Sequence, residues 1–157
     1  FDLFTQGSEG YCFDTTRSFV VGTPPEKIRD MYSAVLEAQN LALDNITAGA
    51  KCGEVMSQVC DFFKKRGYET MRGAVDGNKR AVNSGFTHSL GHGVGLTIGE
   101  RPFLTLFNRN RLKSRSVVTV EPGLYHPRVG GVRLEDVIVV SKSGARNLSK
   151  LSKALVL

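Results

Sequence analysis

The chain has 157 residues, 41% hydrophobic and 23% charged, a balance that fits one globular domain and excludes an intrinsically disordered chain. Its formal net charge is +6, but the lysines and arginines are spread without a basic run and without a helix-turn-helix or RNA-binding aromatic signature. A solvated basic surface is therefore expected, with no nucleic-acid partner. No apolar stretch approaches the roughly 20 residues that cross a membrane, so no membrane partner is expected.

The sequence opens without methionine, and Phe1–Phe4 already reads as a strand, so a fragment of a longer chain is expected, with no signal-peptide pattern at its start. A turn-rich linker, Thr5–Gly10, leads into a second strand over Tyr11–Val21, rich in β-branched and aromatic residues, and the two form a hairpin. Thr23 is placed to cap a helix, with Pro24-Pro25 in its first turn. Ile28, Met31, Tyr32, Val35 and Leu36 continue it at helical spacing to about Asn45, and Gly49 marks its exit. A second helix is predicted over Gly53–Lys65, with Val55, Met56, Val59, Phe62 and Phe63 on its apolar face and Gly67 beyond its end. Residues 68–87 are polar and carry weak strand signals. Thr87–Pro102 is rich in glycine and holds two histidines; Ser116–Val120 and Val132–Val140 read as strands. The order of strands, helices, then strands predicts an α+β domain with a mostly antiparallel sheet. Cys12, Cys52 and Cys60 contain no CxxC pair, which argues against a disulfide framework or a cysteine zinc site. They predict buried free thiols in a reducing, cytoplasmic setting.

Five potential metal ligands lie on these strands and turns: Asp2 and Asp14 in the first hairpin, His92 in the glycine-rich segment, Glu121 at the end of one late strand and Glu135 within the other. A carboxylate facing a core is costly unless it is paired or bound to a cation. Four carboxylates and one imidazole suit two divalent cations of the Mn, Co, Fe or Zn type, which together can activate a hydroxide at neutral pH. Spacing alone leaves two readings open, this metal site or carboxylates that face solvent.

The local motifs resemble those of the pita-bread metallopeptidases, the family of methionine aminopeptidase, aminopeptidase P and prolidase. The matching segments are GYCFDTTR at residues 10–17, HSLGHGVGL at 88–96, VEPGLY at 120–125 and GVRLED at 131–136, in the family's order. The resemblance implies a C-terminal catalytic domain over residues 1–157, incomplete on its N-terminal side, with a curved, mostly antiparallel sheet and flanking helices. It implies that Asp2 holds one of two metal ions, that Asp14 and Glu135 bridge both, and that His92 and Glu121 complete the ligands of the second metal. Mn or Co is expected, with Zn and Fe as alternatives. A hydroxide between the metals would attack the scissile carbonyl, Glu121 would move protons, and His88 would contact substrate or the tetrahedral intermediate. Arg133, two residues before Glu135, is expected to steady a carboxylate of the cluster or to form an ordinary surface ion pair. Tyr125 reads equally as a phenol that reaches the site and as turn packing, and His126 is expected to face solvent.

EPGLY and GVRLED resemble the aminopeptidase P and prolidase branch, which implies an Xaa-Pro peptide as substrate, with a slight lean towards dipeptides, and a homodimer. The pattern is departed from in three ways. Gly99 stands where the family has a histidine before Glu100, a loss expected to cost on the order of 10²-fold in rate unless another group substitutes. Asp2 and Asp14 lie 12 positions apart, one more than expected, so a bulge or longer turn must absorb the difference. The part of the family domain before the first aspartate is missing, so the 157 residues alone are expected to be poorly stable. Two other readings accompany the main one: an inactive relative that binds peptides or proteins, and a methionine aminopeptidase.

Overall fold

The computed structural model of the chain describes residues 1–76 and 82–157, and for 74–76 the backbone alone. The first hairpin pairs β1 (Asp2–Gln6) with β2 (Cys12–Thr16) in an unbroken antiparallel ladder from Asp2↔Thr16 to Gln6↔Cys12. β1 is longer than predicted and β2 shorter, because the chain leaves the ladder after Thr16.

Two helices follow. α1 (Glu26–Asn45) and α2 (Cys52–Lys65) match their predicted spans to within two residues. The Thr23 cap does not form. Pro25 is the N-cap, without a side-chain bond, and its carbonyl accepts from the Ile28 and Arg29 amides. Met31, Val35, Ala38 and Ala42 bury one face of α1; Val55, Met56, Val59 and Phe63 bury one face of α2. Full burial of each larger member contributes about 1.5–3 kcal/mol. Phe63 also meets Phe86 and Tyr68 edge-on or tilted, which ties the helices to the 68–87 stretch. That stretch, read as weakly strand-like, holds a six-residue helix, α3 (Met71–Asp76), and single bridges at Thr70↔Phe86 and Gly85↔Tyr125. Its portion over 77–81 lies outside the described residues.

The remaining chain forms β3 (Gly91–Val94), β4 (Ile98–Leu104), β5 (Val117–Val120), β6 (Gly123–His126), β7 (Gly130–Arg133), β8 (Asp136–Ser141) and β9 (Gly144–Asn147). The main sheet has the order β4-β3-β5-β8-β9, and β6 pairs with β7. Every pairing between these strands is antiparallel, in agreement with the expected α+β architecture, and the single bridge Thr70↔Phe86 is parallel. The strand predicted over Val132–Val140 is broken in two. Leu134 and Glu135 leave the ladder, and the Glu135 amide donates to Thr16 O while its carbonyl accepts from Thr15 Oγ1. That break carries a candidate ligand onto the end of β2.

Candidate metal centre

The regular register of the hairpin puts Asp14 opposite Phe4 and Asp2 opposite Thr16, so both aspartates share a face of the ladder. The extra residue of spacing sits in the connection, where the Gly7 amide donates to Tyr11 O, and not in a bulge. His92 stands between Gly91 and Gly93 on β3. A Cβ on Gly91 would lie 2.0 Å from Thr119 O, and one on Gly93 would lie 2.5 Å from Arg101 O. The glycines therefore allow the neighbouring strands to close around the histidine, whose amide donates to Thr119 Oγ1 at 3.0 Å. Glu121 follows β5 directly and donates its amide to Leu90 O at 2.8 Å.

These elements converge. Asp14, His92 and Glu135 each offer one ligand atom, and the three atoms lie within 4.8 Å of one another. His92 Nε2 is 3.7 Å from Asp14 Oδ2 and 3.5 Å from Glu121 Oε1, so Glu121 joins them. His92 Nδ1 lies 3.0 Å from Gly93 O, which holds the ring with Nε2 towards the carboxylates, the orientation in which a histidine ligates metal. Asp2 stands further out. Its carboxylate pairs with Arg133 and lies 3.1 Å from Thr16 Oγ1, which in turn is 2.6 Å from Glu135 Oε2.

The electrostatics differ across this group. Burial pushes Glu121 up to about 7, with repulsion from Asp14 adding to it while Arg133 opposes. Burial pushes Glu135 up to about 8, reinforced by Glu121 and Asp14. Asp14 is raised by burial too, against the attraction of His92. Glu135 Oε1 is fully buried and, among the described residues, has no hydrogen-bond partner. Such an orphaned oxygen costs about 1–3 kcal/mol. Three carboxylates crowded on one imidazole, one with a buried oxygen that lacks a partner among the described residues, are the donor set that a divalent cation satisfies, so the residues present fit a metal.

A second network borders the first. His88 Nδ1 lies 2.8 Å from Ser89 O and so carries the proton, which leaves Nε2 to accept from Tyr125 Oη at 3.0 Å. Burial lowers the His88 pKa and keeps the ring neutral. Arg133 donates through Nη1 to Tyr125 Oη at 3.3 Å and through Nε to Thr16 Oγ1 at 3.1 Å. Tyr125 thus reaches the site, and Arg133 steadies Asp2. Thr16 and Thr119, which the sequence reading did not single out, join the ligands to each other; Thr119 Oγ1 is 3.4 Å from Glu121 Oε1. Alternation along β2 from Asp14 was the available signal for Thr16. Gly99 has a φ of 79°, and a Cβ there would meet nothing within 4 Å.

Other features lie outside this group. The positive charge is less scattered than the sequence suggests, since Arg101, Arg109, Arg111 and Lys113 line one cleft of about 770 Å³. No helix among the described residues is long and apolar enough to cross a membrane.

Comparison with known proteins gives a consistent picture. The family model described as metallopeptidase family M24 matches residues 1–142. The chain is 39% identical over 146 residues to the Xaa-Pro dipeptidase of Pyrococcus furiosus, covering 93% of this chain and 38% of that protein. Among solved structures, it is similar to the X-Pro aminopeptidase of Thermotoga maritima, with a TM-score of 0.85 and 33% identity over 99% of this chain and 40% of that one. It is also similar to the prolidase of Pyrococcus horikoshii, with a TM-score of 0.84 and 36% identity over 98% of this chain and 40% of that one. The chain therefore spans about two fifths of the length of these relatives.

Proposed function

The chain belongs to metallopeptidase family M24 and shares its α+β pita-bread fold, and on that premise we propose that it supplies the metal-binding centre of an exopeptidase that hydrolyses Xaa-Pro peptides. The observation that carries this reading is the convergence of Asp14, His92 and Glu135 within 4.8 Å, with a buried Glu135 oxygen left unpaired. In this reading Asp2, Asp14, His92, Glu121 and Glu135 would hold two divalent cations, with Mn or Co expected and Zn or Fe as alternatives. When bound, the cations supply a nucleophilic hydroxide at neutral pH and polarise the scissile carbonyl.

The chain's own residues do the remaining work. Glu121, whose carboxylate lies beside His92, would accept a proton from the attacking water and return it to the leaving imide nitrogen of proline. Arg133 holds the Asp2 carboxylate and presents Tyr125, whose hydroxyl is oriented by the His88 acceptor nitrogen. Arg133, a guanidinium with N–H groups left over from these bonds, thereby offers donors towards developing charge, while the hydrogen-bonded Tyr125 and His88 pair holds it in place. An Xaa-Pro bond lacks the amide N–H, so a dedicated site is needed to orient it. Dipeptide substrates belong to the same reading, by likeness to the Xaa-Pro dipeptidase, and a homodimer stays part of the proposal.

The experiment is a hydrolysis panel of an Xaa-Pro dipeptide, an Xaa-Pro-Xaa tripeptide and a Met-Ala peptide, with Mn²⁺ or Co²⁺ and a chelator control. Metal-dependent cleavage of the proline peptides supports the proposal, and the dipeptide-to-tripeptide ratio separates the two modes. Preference for Met-Ala would shift the reading to methionine aminopeptidase. Folded, metal-loaded protein that cleaves none of them would favour a peptide-binding role, for which the open space at Gly99 is the specific observation.

A further inference from the structure

A buried polar layer ties together the backbones that carry Glu121 and Glu135. Gln39, on α1 and 0% exposed, donates its amide to Val120 O at 3.0 Å and Leu134 O at 3.2 Å, the carbonyls immediately before the two glutamates. Arg17, 7% exposed, donates through Nη1 to Glu135 O at 2.6 Å and Thr16 O at 2.8 Å. Its Nη2 meets Asp136 Oδ1 at 2.7 Å, and its other donors reach Leu151 O and Ser152 O. Lys153 closes the layer, with Nζ 2.6 Å from Gln39 Oε1 and 2.5 Å from Asp136 Oδ2. Asn147 also donates to Asp136 Oδ2 at 2.7 Å, and Tyr32 Oη donates to Lys153 O at 2.7 Å.

The buried Arg17–Asp136 pair, with the partly exposed Lys153 beside it, is a poor source of stability, because desolvation offsets most of the attraction. Geometry is what such a cluster supplies. The guanidinium is a planar fork whose bonds fix position and angle together. Here its shortest contact falls on Glu135 O, in the break between β7 and β8. Metal ligands have to be held to within about 0.5 Å, and their supporting groups set that tolerance.

We propose that Arg17, Gln39 and Lys153 are positioning residues for the metal centre, with Lys153 bringing the 148–153 segment in as the lock on the Glu121 and Glu135 backbones. This rests on the metal-centre reading given under Proposed function. The lock comes from residues that follow the matched region 1–142, so the C-terminal segment is coupled to metal affinity without touching a ligand side chain.

The test measures Mn²⁺ affinity by calorimetry, the visible spectrum of the Co²⁺-loaded protein, and thermal melting, for the protein and its Arg17→Lys, Gln39→Leu, Lys153→Met and Arg66→Gln variants. Arg66 pairs with Glu37 on the surface and serves as the control. Arg17→Lys and Gln39→Leu are expected to weaken metal binding on the order of 10- to 100-fold, and Lys153→Met about 10-fold, each with an altered Co²⁺ spectrum. The control is expected to leave both unchanged. Variants that melt lower yet keep wild-type affinity and spectrum would overturn the proposal, because a purely structural layer behaves that way. Should Arg17→Lys fail to fold, wild-type affinity in Lys153→Met alone overturns it. Unmodified protein that binds neither metal refutes the underlying reading instead, a result distinct from all of these.

Discussion

The two sides of the candidate centre solve the same electrostatic problem differently. On the hairpin rim, the Asp2 side chain is 46% exposed and its charge is met by Arg133 and by water. On the inner side, Asp14, Glu121 and Glu135 are crowded around the His92 ring, burial raises all three, and one Glu135 oxygen has no partner among the described residues. The rim carboxylate has its cationic partner in Arg133. The demand for an added cation is therefore concentrated on the inner three, and a centre assembled this way should depend on its inner ligands far more than on its outer one.

That asymmetry can be tested directly. Glu135→Gln keeps the shape and removes the charge, and is expected to lower kcat/KM on the order of 10³-fold or more, with metal binding lost in parallel. Asp2→Asn is expected to cost less, about 10- to 100-fold, and excess metal should recover part of it. Equal losses in the two variants, read by metal titration, would break the comparison.

The pH dependence sharpens it. Carboxyl groups raised in the folded state hold protons that the unfolded chain releases near its ordinary value of 4.5. Their destabilising effect on the metal-free protein is thus absent below that value, grows through the window up to about 8, and then levels off. Melting temperature without metal is expected to fall as pH rises from 5 to 8, and the gain on adding Mn²⁺ should widen over the same range. A flat metal-free profile would mean that the inner carboxylates are already satisfied. The smallest effect is expected from Arg66→Gln, which removes a surface pair from Glu37 and should change stability by about 0.5 kcal/mol or less.

The helices were legible from sequence because their apolar residues recur at 3.6-residue spacing, a local signal that needs no distant partner to be read. The strands flanking His92 were not, because Gly91 and Gly93 carry no strand propensity; they are there for close approach to Thr119 and Arg101. Val132–Val140 read as one strand because its apolar run is continuous, while the break at Leu134-Glu135 is made by bonds to Thr15, Thr16 and Arg17, more than a hundred residues away in sequence. The motifs picked out the candidate ligands, and the structure brings Asp14, His92, Glu121 and Glu135 together. No local pattern could give the protonation of His88, the reach of Tyr125 or the layer built on Gln39, since each depends on which distant atom lies opposite.

The three thiols provide a ready experimental handle. Cys52 and Cys60 are sealed in the core at 0% and 1% exposure, and burial pushes the Cys60 thiol up to about 11. Cys12 is only partly covered and shares a face of β2 with Asp14. A thiol reagent applied to the native fold should therefore react first at one sulfur, two residues from a candidate ligand, while the other two report unfolding. Labelling stoichiometry over time would separate a local opening of the hairpin from global loss of structure, without any engineered probe.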